Sequence, residues 1–204
     1  MLLTAASIAS ADTGIGGWLP TLGVQFSPWG SAQAKYVRKF DSFRCGSAAP
    51  SSTANPATFD YPMSACAVLM GGTAFSFGSG EPQRGRVVYD SSHRIVLYYS
   101  GCCASRAYVL AADASPPPMP LRAADLSGVR TQRGITLGMT IDQVQHVYGP
   151  ATAYAPSNGP PGVRILTYSS FSSDPVRSSE ACGQYQVFAF RDRRLYFIEI
   201  YVGC

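Results

Sequence analysis

Hydrophobic and polar positions alternate most regularly at the C-terminal end, in CGQYQVFAFRDRRLYFIEIYVGC, residues 182–204. Two runs rich in Val, Ile, Phe and Tyr, 184–190 and 195–202, flank a polar group at 191–194, which is the pattern of a β-hairpin. Pairing about a three-residue loop at 192–194 sets Cys182 opposite Cys204, and a two-residue loop shifts the partner of Cys182 to Gly203. In either register the two sulfurs close the open end of the hairpin. Cross-strand β-carbons lie about 4.5–5.5 Å apart, a little wide for a disulfide but adjustable by twist. Alternation places Tyr196, Ile198, Ile200 and Val202 on one face and Leu195, Phe197, Glu199 and Tyr201 on the other. Glu199 then reads as a half-exposed strand carboxylate.

Similar runs precede this hairpin. GVRILTYSS (162–170) predicts a strand, and the Ser-rich FSSDPVRSSE (171–180) predicts a loop. RVVYD (86–90), the start of HRIVLYYSGCC (93–103) and AYVLA (107–111) predict three more strands, the first two joined by the turn SSHR. HRIVLYYS and VRILTYSS share Arg94 with Arg164, Ile95 with Ile165 and Tyr98 with Tyr168 at a constant offset, a faint suggestion of tandem duplication. The uncharged stretch 61–80 reads as a buried strand pair, too short and too rich in Gly and Ser for a membrane span.

The pattern changes period at GITLGMTIDQVQHVYGP, 134–150. Ile141, Val144 and Tyr148 fall on one stripe of a helix, Thr140 and Gln143 match a capping box, and Asp142 complements the dipole in the first turn. Gly149 and Pro150 stop it. His146 lies about 140° round from Ile141 at 100° per residue, on the solvent side. Asp142 and His146 are i,i+4 neighbours, read here as a surface pair and not as a catalytic dyad.

DASPPPMP (113–120) can continue neither helix nor central strand. It divides a strand-rich N-terminal domain (12–112) from an α+β domain (121–204), so the expected order is a signal-peptide remnant (1–11), the N-terminal domain, a Pro-rich linker (113–120) and the α+β domain. Within the front part, 45–62 is a long loop by its Ser, Ala and Pro content.

Composition narrows the function classes. The chain has 204 residues, 46% of them hydrophobic and 14% charged, which argues for a globular fold and against disorder. The net charge of +4 comes almost wholly from arginine dispersed along the sequence, with the tightest group at Arg191, Arg193 and Arg194. Nucleic-acid binders concentrate such charge on one face, so no nucleic-acid partner is expected. The apolar N-terminus with its A-x-A-like site before Asp12 resembles a secretory signal without its basic n-region.

Six cysteines, Cys45, Cys66, Cys102, Cys103, Cys182 and Cys204, without C-x-x-C in an export-like chain, read as disulfides. Cys45 and Cys66 stand at the ends of the long loop. Cys102 and Cys103 with His93 could ligate a soft metal, but separate disulfides fit the compartment better. No G-x-S-x-G elbow, reactive-cysteine context or phosphate-binding glycine loop is present. The expectation is therefore no catalytic residues, no metal and no cofactor.

The residues Gly134, Leu137, Gly138, Met139, Thr140, Val144, Gly149 and Pro150, with Phe188, Phe190, Asp192, Leu195 and Ile198, carry a family resemblance. Over 128–204 the chain resembles the small periplasmic domain of the SmpA/OmlA family, β-barrel assembly lipoproteins, and of the β-lactamase-inhibitory proteins. The resemblance implies helices packed on one face of an antiparallel sheet, a cell-envelope location, and protein binding in place of catalysis. It departs from the lipoproteins in lacking a lipidated Cys near the N-terminus. The inhibitory proteins are built from two tandem copies, which suits the faint repeat.

The expectation is thus an α+β fold, strand-rich and disulfide-stapled, with two tandem similar domains as an open alternative. The protein is expected to be periplasmic or secreted, without a membrane span, and to bind an envelope or secreted protein. Arg191, Arg193 and Arg194 are the candidate contact residues. The alternative is an inhibitor or immunity protein against a secreted enzyme, and a hydrolytic enzyme ranks last.

Overall fold

The computed structural model describes residue 18 and residues 34–37, 41–45, 73–76, 84–101, 105–111, 116–155, 161–170 and 183–203. The described strands are β1 (Lys35–Tyr36), β2 (Phe43–Arg44), β3 (Thr73–Ser76), β4 (Arg84–Asp90), β5 (Ile95–Gly101), β6 (Ser105–Ala111), β7 (Arg130–Thr131), β8 (Arg164–Ser169), β9 (Gly183–Arg191) and β10 (Arg194–Gly203). One helix of more than a turn lies among them, α1 (Ile141–Tyr148). Eight strands form one sheet in the order β1-β8-β9-β10-β6-β5-β4-β3, and β2 pairs with β7 in a small second one.

The expected α+β architecture, with several helices covering a sheet, is therefore corrected to a mostly-β fold with one short helix. The chain spends its apolar residues in β-branched and aromatic runs, which favour strands. Among the described residues, only 141–148 carries a helical stripe together with a cap.

Two three-stranded meanders, β4-β5-β6 and β8-β9-β10, build the centre, and their last strands pair antiparallel to each other. Strands from both sides of the proline segment thus share one sheet. Two tandem copies are not what the repeated residues mark. Ile95 and Tyr98 sit on β5, the middle strand of its meander, with Arg94 in the turn before it, whereas Arg164, Ile165 and Tyr168 sit on β8, the outer strand of the other, so the positions are not equivalent.

The β9–β10 hairpin turns through two residues, Asp192 and Arg193, with Arg191 opposite Arg194 and Leu195 opposite Phe190. A bulge at Tyr196 then inserts one residue, so that Phe197 faces Ala189 and Gly203 faces Gly183. The bulge restores the register of a three-residue loop; Cys182 and Cys204 lie outside the described residues. Its second effect corrects the expected faces. Leu195 packs with Ile198 and Ile200, whereas Tyr196 packs with Phe197 on the other side.

Both faces of the sheet are covered. On one, Val88, Leu97, Leu166, Phe188 and Ile198 meet Val144 and Tyr148 of α1, together with Phe43, Leu126 and Ile135. On the other, Val87, Val96, Ile165, Val187 and Phe197 meet Trp18, Leu121 and Tyr154. Two-sided burial explains why Glu199, expected half-exposed, is only 7% exposed. Cys45 is disulfide-bonded. The other five cysteines, its partner among them, lie outside the described residues, as do the N-terminal segment 1–11 and most of the 45–62 loop.

The helix forms as its sequence dictates. The Thr140 hydroxyl accepts from the Gln143 amide at 3.3 Å, and the Gln143 side chain accepts from the Thr140 amide at 2.8 Å. Val144 and Tyr148 are buried, and Gly149 closes the last turn at φ 92°. No described helix is long and apolar enough to cross a membrane.

Candidate functional site

Strand directions bring two turns to one end of the sheet. β4 ends at Asp90 and β5 starts at Ile95, which pairs with Ala111 at the end of β6. Leu110 pairs with Phe197 near the start of β10, and Arg164 at the start of β8 pairs with Phe190 near the end of β9. The 91–94 turn, the 192–193 turn and the entry to β8 therefore share an end. The three described non-glycine residues with positive φ all lie there: Arg94 at 55°, Asp192 at 50° and Arg193 at 64°.

At the 192–193 turn two positive φ values in succession match the twist of the flanking strands, a conformation usually given to Asn-Gly or Asp-Gly. Asp tolerates it, but an arginine there costs roughly 1 kcal/mol that a glycine would not. The neighbouring arginines are held by the protein itself. The Arg191 guanidinium lies 4.4 Å from the Tyr196 ring centre, and Arg194 donates to the Gly138 carbonyl at 3.1 Å. Arg193 is exposed. Of the three arginines singled out from the sequence, Arg193 sits at the apex and the other two brace it.

The 91–94 turn is organised by Asp90, whose side chain is 4% exposed. Its Oδ1 accepts from the Ser92 and His93 amides, and its Oδ2 from the Leu126 amide and His93 Nδ1, all within 3.0 Å. Burial raises the Asp90 pKa, but these donors outweigh it and hold the carboxyl below its ordinary value. Exposed Asp125 is also lowered, by the Ser127 hydroxyl and amide. Asp90, His93 and Asp125 bring ligand atoms within 4.8 Å of one another beside an open cleft of about 500 Å³. A cation would have to displace bonds that already engage both Asp90 oxygens, so the cluster is a turn scaffold.

A prediction follows for this turn. Asp90→Asn keeps the shape but loses the charge-assisted bonds, and should cost about 1–3 kcal/mol near neutral pH. Because the folded pKa is depressed, this stabilisation is present above the unfolded value and is lost as pH falls through the folded one. Urea unfolding of both proteins across the acid range should show the difference shrinking. A difference independent of pH would contradict the role of the charge.

Asp142 and His146 are exposed on the outer side of α1, away from the stripe that packs on the sheet.

The opposite end of the sheet holds a polar cluster that sequence reading missed. Asp41 is fully buried, and its Oδ1 accepts from the Ser42 and Gln132 amides at 2.8 and 2.9 Å. Its Oδ2 accepts from the Tyr148 hydroxyl and lies 4.0 Å from Arg133, whose guanidinium also covers the Tyr148 ring. The backbone of Asp41 is clasped by Gln184, which accepts from its amide at 2.6 Å and donates to its carbonyl at 2.7 Å. Burial pushes the Asp41 carboxyl up, against the lowering pull of Tyr148, Ser42, Arg133 and Gln132. Burial likewise drives the Tyr148 hydroxyl well above its ordinary value, helped by the Asp41 charge. The Asp41 carboxyl is closed from solvent, and the cluster ties residues 41–45 to the C-terminal half, which makes it structural. No local signal could reveal it, since the partners of Asp41 other than its neighbour Ser42 stand 91 to 143 residues away.

No protein-family model, curated protein or solved structure matches this chain.

Proposed function

We propose that this chain is a non-catalytic, exported binding module of the bacterial cell envelope that contacts another protein through the β9–β10 tip. The observation that supports this reading is Arg193, a long cationic side chain kept at the exposed apex of a turn whose backbone favours glycine. Strain retained at an exposed, non-core position is a pointer to use at that position. Arginine suits the role because its planar guanidinium pairs bidentately with carboxylates. The envelope location rests on the export-like N-terminus, the cysteine pattern and the SmpA/OmlA-like sequence pattern of 128–204.

Two measurements test it. Arg193→Gly should relieve the turn and raise stability by about 0.5–1 kcal/mol, read as a melting temperature about 2–3 °C higher. The same variant and Arg193→Glu should weaken recovery of a stoichiometric polypeptide partner by the full chain from solubilised envelopes. Absence of any partner, together with turnover of a small substrate that His146→Ala abolishes, would sink the binding reading in favour of an enzyme.

A further inference from the structure

We infer that the binding face is the whole turn-bearing end of the sheet, running from Arg164 through Arg193 to Arg94, and that it receives a carboxylate-bearing protein surface. This rests on the protein-binding reading above and names its extent and partner chemistry.

Three observations converge on that end. Each of its two turns holds an arginine at positive φ, Arg94 at 55° and Arg193 at 64°, where glycine would be unstrained. Two independent turns of different length, four residues at 91–94 and two at 192–193, thus keep charged side chains at the same backbone cost and in the same direction along the sheet. Exposed Arg122 and Arg164 lie at that end too, Arg122 because its carbonyl accepts from the Tyr89 amide next to the end of β4. The turns are separated by three strand spacings, β9/β10 to β5/β4 across β6, or about 14 Å at roughly 4.8 Å each. That span suits several contacts to one partner surface.

The charge pattern selects the partner class. Exposed Asp125 and Asp192 are interleaved with the arginines. Duplex nucleic acid and anionic bilayers favour a single-sign positive face, whereas mixed signs in fixed positions match a protein surface that carries both. The rigid frame under both turns, Asp90 with its four donors on one side and the Arg191–Tyr196 stack on the other, presents the side chains without reorganisation on binding.

Photo-crosslinking and charge reversal test the inference. A benzophenone side chain is placed at Ser92 in one full-length protein and at Asp192 in another, and each is irradiated in envelopes of the producing cell. Both positions should capture the same polypeptide. Arg94→Glu and Arg193→Glu should each reduce its affinity about tenfold, while Arg94→Gly and Arg193→Gly confirm by unchanged circular dichroism that the fold tolerates either site. If Arg193→Glu weakens binding and Arg94→Glu does not, the extended face is wrong and the tip reading survives. If a polypeptide binds and neither reversal matters, both surface assignments fall while protein binding stands. Capture of different polypeptides, or of none, overturns the inference. So does binding of phosphatidylglycerol vesicles or a short DNA duplex that both reversals abolish.

Discussion

Asp41→Ala is expected to lower folding stability by about 3–5 kcal/mol, the loss typical of removing one partner from a buried charged cluster. The substitution leaves the Tyr148 hydroxyl and the Ser42 and Gln132 amides without their acceptor at a fully buried position, and removes the carboxylate that lies 4.0 Å from the Arg133 guanidinium. It also opens a cavity beneath the 41–45 segment. Asp41→Asn should cost less than half as much at neutral pH. Asparagine keeps an oxygen for the Ser42 and Gln132 amides and can donate to the Tyr148 oxygen.

The pH dependence gives a second reading of the same site. Burial raises the Asp41 pKa, so the stability contributed by the protonated acid is fully present below the unfolded value, about 3.9. That contribution is lost as pH rises through the raised folded value. The advantage of wild type over Asp41→Asn should therefore be larger near pH 3.5 than near pH 7. Chemical denaturation at both pH values measures it, and an advantage that grew with pH would mean that the donors outweigh burial.

Phe188→Ala is expected to cost a comparable amount, about 3–5 kcal/mol, through lost burial and the cavity left behind. Phe188 is fully buried at the centre of β9, with ring centres 5.0 Å from Tyr148 and 6.0 Å from Tyr168. It joins the helix to the sheet, so its loss should also expose the amides of α1 to hydrogen exchange. Thermal unfolding should show a fall in melting temperature of about 10 °C. A loss below 1 kcal/mol would mean that the aromatic cluster is not the packing centre of that face.

The strands of β4, β5, β6, β8, β9 and β10 were legible because each is a run of β-branched and aromatic residues bounded by turn chemistry. The capped helix was legible for the same local reason. The Arg191–Arg194 tip was visible as a charge group, but the apex position of Arg193 was not. That position depends on a two-residue turn followed by a bulge, and a three-residue loop gives the same distal register.

Local pattern misleads where a residue meets a partner elsewhere in the chain. Glu199 reads as half-exposed if one face of the hairpin meets water, and it is buried because a second layer covers that face. Tyr196 reads as sharing a face with Ile198 until the bulge moves it across. Helices were expected in the plural from the likeness of 128–204 to a known domain, although 141–148 is the single described stretch that carries both a stripe and a cap.

Sequence alone determined what propensity and short spacing control: the hairpins, the start and stop of α1, and the dispersed positive charge. Tertiary structure alone decided which segments meet. It joined 41–45 to β9 and α1 through Asp41, merged two meanders into one sheet, and brought Arg94 and Arg193 to one end. Contacts between residues some hundred positions apart leave no periodic trace in the chain, because they are set by strand order and register and not by neighbouring side chains.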